Sequence, residues 1–248
     1  MKFPLFNKKV TRDIARSFSF LGTDFHSHLV PGIDDGSPDV ETSIALITSL
    51  KELGYTKLIT TPHVMQGQYP NDRSTIVPGR DLLRRELAAR GIGMELHAAA
   101  EYFLDPGLIE AIQDDEPLLT VSGKKLLVEI SFAAPPMQLH EFLYHLQLKG
   151  YEPILAHPER YKYYHNDMDQ YKKLMDVGCE LQLNLLSVIG YYGKDVRKAA
   201  LKLLDRQWLT YLATDLHHGR HLEGLRTLAS DEGLMGKLQA YQWKNQLL

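Results

Sequence analysis

The chain has 248 residues, of which 44% are hydrophobic and 24% are charged. These values are close to those of an average globular protein and exclude a mainly disordered chain or a fibrous repeat. The 28 Lys and Arg residues nearly balance the 31 Asp and Glu residues, and the net charge of -3 is not the basic surplus expected of a nucleic-acid-binding protein. One cysteine, Cys179, accompanies 11 histidines, which excludes an intrachain disulfide and suits a reducing compartment.

The first 19 residues are predicted to be a basic, amphipathic extension, and residues 20–248 a single domain. Val10, Ile14 and Phe18 have helical spacing, which predicts a short helix that closes the bottom of the fold, with contact to anionic lipid as the alternative. No run of about 18 apolar residues and no signal peptide is found. We therefore expect a cytoplasmic protein without an integral membrane segment.

Strand-like apolar runs alternate with helical patterns along the rest of the chain. The predicted strands cover 20–28, 57–61, 94–101, 126–131, 152–156, 179–185 and 209–214. The predicted helices cover 39–53, 79–90, a short segment after Pro106, 137–149, 168–177, 194–207 and 223–230, and the longest predicted loop covers 64–78. Seven strand–helix units without a linker favour an α/β fold in which parallel strands close into a barrel. Function in such barrels lies at the C-terminal ends of the strands.

Six of the seven predicted strand ends carry imidazole or carboxylate groups. Strand alternation places Asp24, His26 and His28 on one face, so that two imidazoles project together into the barrel mouth. The following strand ends and loops add further candidates, namely Asp35, His63, Glu101, Glu129, His157, Asp215 and His217. Only the sixth end, around Asn184, lacks such a group. One such residue could simply be satisfied by its neighbours, but six ends together indicate a common site.

Five histidines and four acids at one barrel mouth predict bound cations. Charged groups are seldom buried unless they are paired or bind metal. At about four to six ligands per ion, nine side chains suit two or three divalent ions. Imidazole and carboxylate ligands without thiolate point to manganese, iron or zinc, among which ligand type alone does not choose.

The order of these motifs resembles the polymerase and histidinol phosphatase (PHP) superfamily. The motifs are H-x-H, D-D-G, T-P-H, A-E-Y, E-I-S, A-H-P-E-R-Y and T-D-L-H. Within the superfamily, they are similar to the bacterial PHP-type protein tyrosine phosphatases that are encoded with capsule and exopolysaccharide machinery. The resemblance covers about residues 20–235 and implies a distorted (β/α)7 TIM-like barrel with a trinuclear site, for which manganese is our first choice and iron or zinc the alternatives.

The resemblance also implies roles for individual residues. One metal would be held by His26, His28, Glu101 and Asp215, a second by Glu101, Glu129 and His157, and a third by Asp35, His63 and His217. Asp35 is preferred to Asp34 because the family's ligand directly precedes the glycine. Arg160 would bind phosphate, and Arg220 is a weaker candidate because its offset differs from the family's pattern.

The predicted chemistry is hydrolysis of a phosphomonoester. Divalent ions bring the pKa of a water molecule toward neutrality, and a guanidinium such as that of Arg160 can grip two phosphate oxygens. Asp24 is a candidate partner or acid behind the two histidines. Tyr161, Tyr163 and Tyr164 either line the pocket against a substrate ring or pack into the core.

A cysteine-dependent mechanism is not expected. In such phosphatases the nucleophilic cysteine is followed by five residues and then an arginine. Here the five residues after Cys179 are followed by Leu185. Its apolar surroundings predict a thiol in the core.

The leading hypothesis is therefore a metal-dependent protein tyrosine phosphatase. Its expected substrate is an autophosphorylated, membrane-associated tyrosine kinase or polysaccharide co-polymerase that controls polysaccharide export. Binding to this partner would bring the protein to the inner face of the membrane. The expectation of this partner rests wholly on the resemblance. The alternatives are a histidinol-phosphate or other small-molecule phosphatase, a noncatalytic PHP binding module, and a nuclease or polymerase-associated role, which the negative net charge disfavours.

Overall fold

A computed structural model describes residues 17–248 of the protein. The predicted helix in the basic extension lies outside the described residues, apart from its last positions. Within residues 17–248 no helix is both long and apolar enough to cross a membrane.

Short parallel strands in the described part of the chain occupy seven positions around a barrel. The strands are β1 (Thr23–Asp24), β2 (Lys57–Thr60), β3 (His63–Val64), β4 (Glu95–Ala98), β5 (Glu101–Phe103), β6 (Lys125–Glu129), β7 (Glu152–Ala156), β8 (Glu180–Asn184) and β9 (Tyr211–Ala213). Their order is β1-β2-β4 in one sheet and β3-β5-β6-β7-β8-β9 in the other. Strands β2 and β3 are successive parts of one barrel position, as are β4 and β5, so the two sheets are continuous around the barrel.

The barrel closes between its first and last strands. A parallel bridge joins Ser27 to Leu216. The amide of His28 donates to the carbonyl oxygen of Leu216 at 2.9 Å, and the amide of Asp215 donates to the carbonyl oxygen of His26 at 2.8 Å. The predicted α/β barrel of parallel strands is confirmed.

Helices surround the barrel and follow its strands. They are α1 (Val40–Glu52), α2 (Arg73–Ala89), α3 (Pro106–Gln113), α4 (Leu139–Leu148), α5 (Asp169–Asp176), α6 (Lys194–Asp205), α7 (Gly219–Ser230) and α8 (Glu232–Gln239). The prediction that α2 begins at residue 79 is wrong, because the Asp72 side chain caps the helix by accepting from the amides of Ser74 and Thr75. Pro78 consequently lies inside the helix, and the loop before it is shorter than predicted.

Two predicted strands are interrupted in the structure. The predicted strand over 20–28 is regular only in β1, because hydroxyl groups of the next strand replace its ladder bonds: Thr60 donates from its hydroxyl to the carbonyl oxygen of Ser27 at 2.8 Å and accepts from the amide of Leu29 at 2.9 Å. The predicted strand over 94–101 likewise divides into β4 and β5. These irregular stretches lie where the candidate ligands are carried.

The inside of the barrel is packed rather than hollow. Its apolar cluster consists of Phe25, Ile59, Ala99, Val121, Leu127, Ile154, Ala156, Tyr211, Ala213 and Leu248. At the bottom, the Asn245 side chain donates to the carbonyl oxygens of Thr23 and Leu212, at 3.0 and 2.7 Å, so the C-terminal segment covers the N-terminal ends of β1 and β9. The opposite end of the barrel is therefore the one that remains for a site.

Candidate metal centre

The structure brings all nine predicted ligand side chains together at the C-terminal ends of the strands. They form four overlapping groups in which the ligand atoms lie within 4.8 Å of one another: His28, Asp35, His63 and His217; His26, His28 and Glu101; His26, His157 and Asp215; and His63, Glu101 and Glu129. Because each group shares members with another, the nine residues are one cluster.

Three atoms at the centre of this cluster lack hydrogen-bond partners. His26 Nε2, His28 Nε2 and Glu101 Oε2 are buried and unpaired in the described part of the chain. They nevertheless lie close together, with Glu101 Oε2 3.1 Å from His26 Nε2 and 3.4 Å from His28 Nε2. Buried polar atoms are normally hydrogen-bonded, and atoms that converge on a common point without bonding one another fit a shared cation. The donor set therefore fits divalent metal ions.

Glu101 lies between three histidines. Its Oε2 is 3.1 Å from both His26 Nε2 and His63 Nδ1, and its Oε1 is 3.2 Å from His157 Nε2. Burial opposes its ionisation, but the charge of His26 holds the pKa of Glu101 well below its usual value. Burial and the neighbouring Glu101 charge instead raise the pKa of Glu129. A carboxylate whose two oxygens face different imidazoles has the geometry to bridge two ions.

Two of the histidines are held in the neutral form that binds metal. Burial lowers the pKa of His63 to about 4, with a further contribution from His28. Burial and the nearby Arg160 likewise lower the pKa of His157 to about 4. Neutral imidazoles carry the free lone pair that a metal ligand needs.

Side chains that the sequence reasoning did not single out orient the histidines. His26 Nδ1 donates to Gln182 Oε1 at 2.8 Å, and His28 Nδ1 donates to Asp34 Oδ2 at 2.8 Å. Asn184 Nδ2 donates to Asp215 Oδ2 at 2.9 Å. Gln182 and Asn184 belong to the sixth barrel position, which carries no predicted ligand, and their signal in the sequence was a pair of uncharged polar residues that alternate with leucines at the C-terminal end of the strand.

Two of the candidate ligands have left-handed backbone conformations. The φ angles are +33° at His157 and +50° at Asp215. A non-glycine residue in such a conformation costs about 1–3 kcal/mol and is found mainly where function requires it. His157 directly follows β7, and Asp215 lies two residues after the end of β9, so the turn of the backbone aims their side chains across the barrel mouth.

The group around Asp35 is the most open part of the cluster. The side chains of Asp35, His63 and His217 are 55%, 15% and 12% exposed, whereas those of His26, His28 and Glu101 are fully buried. Asp35 Oδ1 lies 3.5 Å from the Nε2 atoms of both His63 and His217, and the hydrogen bond from His217 lowers the pKa of Asp35 to about 2. This group is therefore the side of the cluster that solvent can reach.

Arg160 lies beside the cluster with its guanidinium between two aromatic rings. Its Nη1 is 3.0 Å from Asp215 Oδ2, and its guanidinium carbon lies 4.6 Å from the ring centre of Phe132 and 4.4 Å from that of Tyr192. Phe132 is 44% exposed and stacks on His157 with ring centres 5.5 Å apart. A cation and an exposed aromatic ring thus share the rim of the cluster.

Tyr161 does not line the pocket, and that part of the prediction is wrong. Its side chain is completely buried, its hydroxyl donates to the carbonyl oxygen of Ala156 at 3.1 Å, and it accepts from the amide of Ile130 at 3.2 Å. A ring with no exposed surface cannot contact a substrate. It packs instead beneath Phe132, with ring centres 5.5 Å apart.

Asp24 and Arg220 lie apart from the cluster. Both carboxylate oxygens of the buried Asp24 accept from Thr214, at 2.9 Å from its amide and 2.8 Å from its hydroxyl. Arg220 is exposed in the first turn of α7, and its side chain makes no hydrogen bond or ion pair with another residue in 17–248. The catalytic and substrate-binding roles suggested for these two residues stay predictions.

Cys179 is a thiol of the core. It is buried, and burial raises its pKa to about 12. A thiol with such a pKa is almost entirely protonated at pH 7 and is a poor nucleophile.

A groove of about 540 Å³ adjoins the mouth of the barrel. Residues after β3 and residues of α3 line it, and Tyr69 belongs both to this wall and to the cluster's surroundings, because its ring stacks on His63 with centres 5.2 Å apart. The space beside the cluster is therefore large enough for more than an isolated phosphate group.

Comparisons of sequence and of structure both find similarity to tyrosine-protein phosphatases of the CpsB/CapC kind. The family described as capsular polysaccharide synthesis, CpsB/CapC, matches residues 22–224. The tyrosine-protein phosphatase YwqE of Bacillus subtilis is 29% identical over 196 residues, which cover 79% of this chain and 77% of that protein. The tyrosine-protein phosphatase CpsB of Streptococcus pneumoniae is 27% identical over 202 residues, which cover 79% and 82%. A solved chain described among the metal-dependent tyrosine phosphatases YwqE and CpsB matches with a TM-score of 0.78 at 25% identity and covers 91% of this chain and 93% of that chain.

Proposed function

The chain belongs to the CpsB/CapC family of capsular polysaccharide synthesis, and from that premise we propose that it is a metal-dependent tyrosine-protein phosphatase. The observation that carries the proposal is the set of buried, unpaired ligand atoms of His26, His28 and Glu101, which converge within one cluster. The solved metal-dependent tyrosine phosphatases to which this chain is similar support the same activity.

We propose that the cluster holds two or three divalent ions, with manganese preferred to iron or zinc. Glu101 is the proposed bridging ligand, because its two oxygens face different histidines. His26, His28, Glu101 and Asp215 would hold one ion; Glu101, Glu129 and His157 a second; and Asp35, His63 and His217 a third. Ligand atoms within each set lie 3.1–3.5 Å apart, and the division into these three sets is the one that the family resemblance implies.

The protein's own residues would bind and orient the phosphate. When bound, divalent ions would lower the pKa of a water molecule and offset the charge of the phosphate. Arg160 is the proposed phosphate ligand, because its side chain lies at the rim, 24% exposed, while Asp215 and two aromatic rings fix its position. A guanidinium so held can donate two parallel hydrogen bonds to phosphate oxygens without reorganisation.

The leaving group favours a phosphotyrosine over an alkyl phosphate. A phenolate leaves more readily than an alkoxide, so the reaction depends less on a general acid. We propose a structural role for Asp24, because both of its oxygens are occupied by Thr214. The exposed ring of Phe132 next to Arg160 offers a surface against which the substrate ring can pack.

The proposed substrate is a phosphotyrosine protein of polysaccharide synthesis, for which a membrane-associated tyrosine kinase is the expected partner. The relatives named as tyrosine-protein phosphatases and the family of capsular polysaccharide synthesis support this choice. The groove beside His63 offers room for the polypeptide on either side of a phosphotyrosine.

Metal analysis combined with kinetics tests the proposal. The purified protein is analysed for metals, and its turnover of a phosphotyrosine peptide is measured before chelation, after chelation and after Mn²⁺ is restored. Turnover is expected to disappear and return with the metal. A higher kcat/KM for histidinol phosphate than for the phosphotyrosine peptide would contradict the proposed substrate class, and full turnover after complete metal removal would contradict the mechanism.

A further inference from the structure

Two adjacent acids of the turn after the first strand, Asp34 and Asp35, serve different purposes in the structure. The Asp35 side chain is 55% exposed and faces His63 and His217. The Asp34 side chain is completely buried and belongs to none of the four groups of potential ligand atoms formed by the described residues. A buried carboxylate that is not itself a ligand needs another explanation.

The Asp34 carboxylate accepts three hydrogen bonds. Its Oδ2 accepts from His28 Nδ1 at 2.8 Å and from the backbone amide of His63 at 3.1 Å, and its Oδ1 accepts from the amide of Gly36 at 3.0 Å. The group is therefore an anion surrounded by donors.

One oxygen of Asp34 thus touches two candidate ligands from different barrel positions. In the neutral imidazole of His28, the bond to Asp34 places the proton on Nδ1, which leaves the Nε2 lone pair facing Glu101 and Asp215, 3.4 and 3.5 Å away. The bond to the His63 amide fixes the backbone from which the second imidazole projects. Asp34 therefore contacts neither His28 Nε2 nor the imidazole ring of His63, and both remain free to face the cluster.

The turn is built so that Asp34 can approach this closely. A Cβ atom on Gly36 would lie only 2.3 Å from the carbonyl oxygen of His28, so any other residue would push the turn away from the first strand. The amide of Ser37 donates to the same carbonyl oxygen at 3.0 Å. The glycine is therefore required by a close backbone approach rather than by flexibility.

We propose that Asp34 is a positioning residue that sets the tautomer of His28 and the placement of His63 for the metal centre. The inference rests on the proposed metal-dependent function but concerns a residue that is not a ligand. Such partners behind metal-binding imidazoles typically contribute about 10- to 100-fold to metal affinity. A role confined to the stability of the turn would leave the affinity of the folded protein for metal unchanged.

The first test uses the unaltered full-length protein without metal. Long-range ¹H–¹⁵N NMR correlations report which nitrogen of His28 carries its proton, and the resonance is assigned by comparison with the spectrum of His28→Gln. At a pH high enough for His28 to be neutral, the expected result is a dominant Nδ1–H tautomer. A dominant Nε2–H tautomer would overturn the proposal, and this outcome does not depend on the folding of any variant at position 34.

The second test compares Asp34→Asn with the matched control Asp39→Asn. Asp39 lies in the same loop region but caps α1 on the exposed surface, where asparagine is an equivalent cap. At position 34 an amide cannot accept from all three donors, since its nitrogen itself donates. Titration of each metal-free protein with Mn²⁺ is expected to give an affinity about 10- to 100-fold weaker for Asp34→Asn and an unchanged affinity for Asp39→Asn.

Thermal unfolding of the metal-free proteins separates positioning from stability. A folded Asp34→Asn protein with weakened Mn²⁺ binding, and with phosphotyrosine turnover that is recovered at high Mn²⁺, supports the proposal. Wild-type affinity in folded Asp34→Asn would overturn it while the proposed phosphatase function stands. If the unaltered protein did not bind Mn²⁺, or if it kept its turnover after chelation, the proposed function would be refuted instead. The NMR result would still decide the position of the His28 proton.

Discussion

Replacing Arg160 by lysine tests how the rim of the cluster recognises phosphate. The substitution keeps a positive charge near Asp215, whose Oδ2 lies 3.0 Å from Arg160 Nη1, but it removes the planar group held between Phe132 and Tyr192. Lysine is a flexible point charge and cannot form the paired hydrogen bonds of a guanidinium. The variant therefore separates the geometry of recognition from its charge.

The size of the effect follows from these contacts. Loss of one preorganised charge-assisted donor to the transition state costs about 10²–10³ in rate when no charge replaces it. Because lysine retains the charge, we expect a decrease of about 10- to 100-fold in kcat/KM, which corresponds to about 1.4–2.7 kcal/mol. Separately from this effect on catalysis, loss of the two cation–π contacts should lower the free energy of unfolding by about 1–2 kcal/mol.

The assay is kcat/KM for a phosphotyrosine peptide at saturating Mn²⁺, with bound metal measured on the same sample. Arg226→Lys is the matched control, since Arg226 lies on the outer surface of α7 and, among residues 17–248, its side chain makes polar contacts with Glu52, at 3.8 Å, and Ser49. Its kcat/KM should change by no more than about twofold, because exposed ion pairs contribute little. Arg220→Lys should lose less activity than Arg160→Lys.

Two results would refute this reasoning. If Arg160→Lys kept wild-type kcat/KM, Arg160 would not be the phosphate ligand. If activity fell only in proportion to lost metal, Arg160 would act by holding Asp215 in place and would not contact the substrate.

Further predictions concern the metal ligands, the cysteine and a buried acid. His26→Ala and Glu101→Ala should each remove metal and phosphotyrosine turnover together, because both side chains lie at the centre of the cluster; full turnover in either variant would contradict the site assignment. In the wild type, graded chelation followed by metal analysis should remove the ion of the exposed group around Asp35 first. Asp35→Asn should lack this ion from the start and should therefore show no early loss of metal. Cys179→Ser should keep turnover and metal content, and loss of turnover with normal metal would favour a thiol mechanism. Burial raises the pKa of Asp24 from 3.8 to about 7, so ionising it disfavours the folded state. Compared with Asp24→Asn, the metal-free wild type should therefore lose up to about 4 kcal/mol of unfolding free energy as pH rises from about 4 to 7 and no more above pH 7, as measured by urea denaturation; parallel pH profiles would contradict this.

The barrel and its ligands were predictable because both depend on local patterns. Parallel strands separated by helices place their C-terminal ends at one end of a barrel whatever the details of packing, so a histidine or acid at such an end, such as His63 or Asp215, can be placed without a structure. The boundaries were less predictable. The start of α2 depends on the Asp72 cap, which outweighs the presence of Pro78 inside the helix.

Roles that depend on side-chain direction could not be read from the sequence. Tyr161 and Phe132 both lie near Arg160, but only the structure shows that the tyrosine is buried and the phenylalanine is at the rim. Asp34 and Asp35 are chemically identical neighbours, and the turn at Gly36 alone decides which of them faces His28. Burial and backbone turns are properties of the folded chain, so residue type and spacing do not reveal them.

The absence of an acid from the sixth barrel position follows from the charge of the cluster. With all four ionised, as metal ligands would be, the carboxylates of Asp35, Glu101, Glu129 and Asp215 carry four negative charges, which two of the proposed divalent ions would neutralise. A third ion leaves an excess of two positive charges, which a phosphate dianion would offset. Another acid in β8 would cancel part of the charge that attracts the substrate. The amides of Gln182 and Asn184 hold His26 and Asp215 by hydrogen bonds and add no charge, so the C-terminal half of β8 supports the cluster without opposing the proposed binding of phosphate.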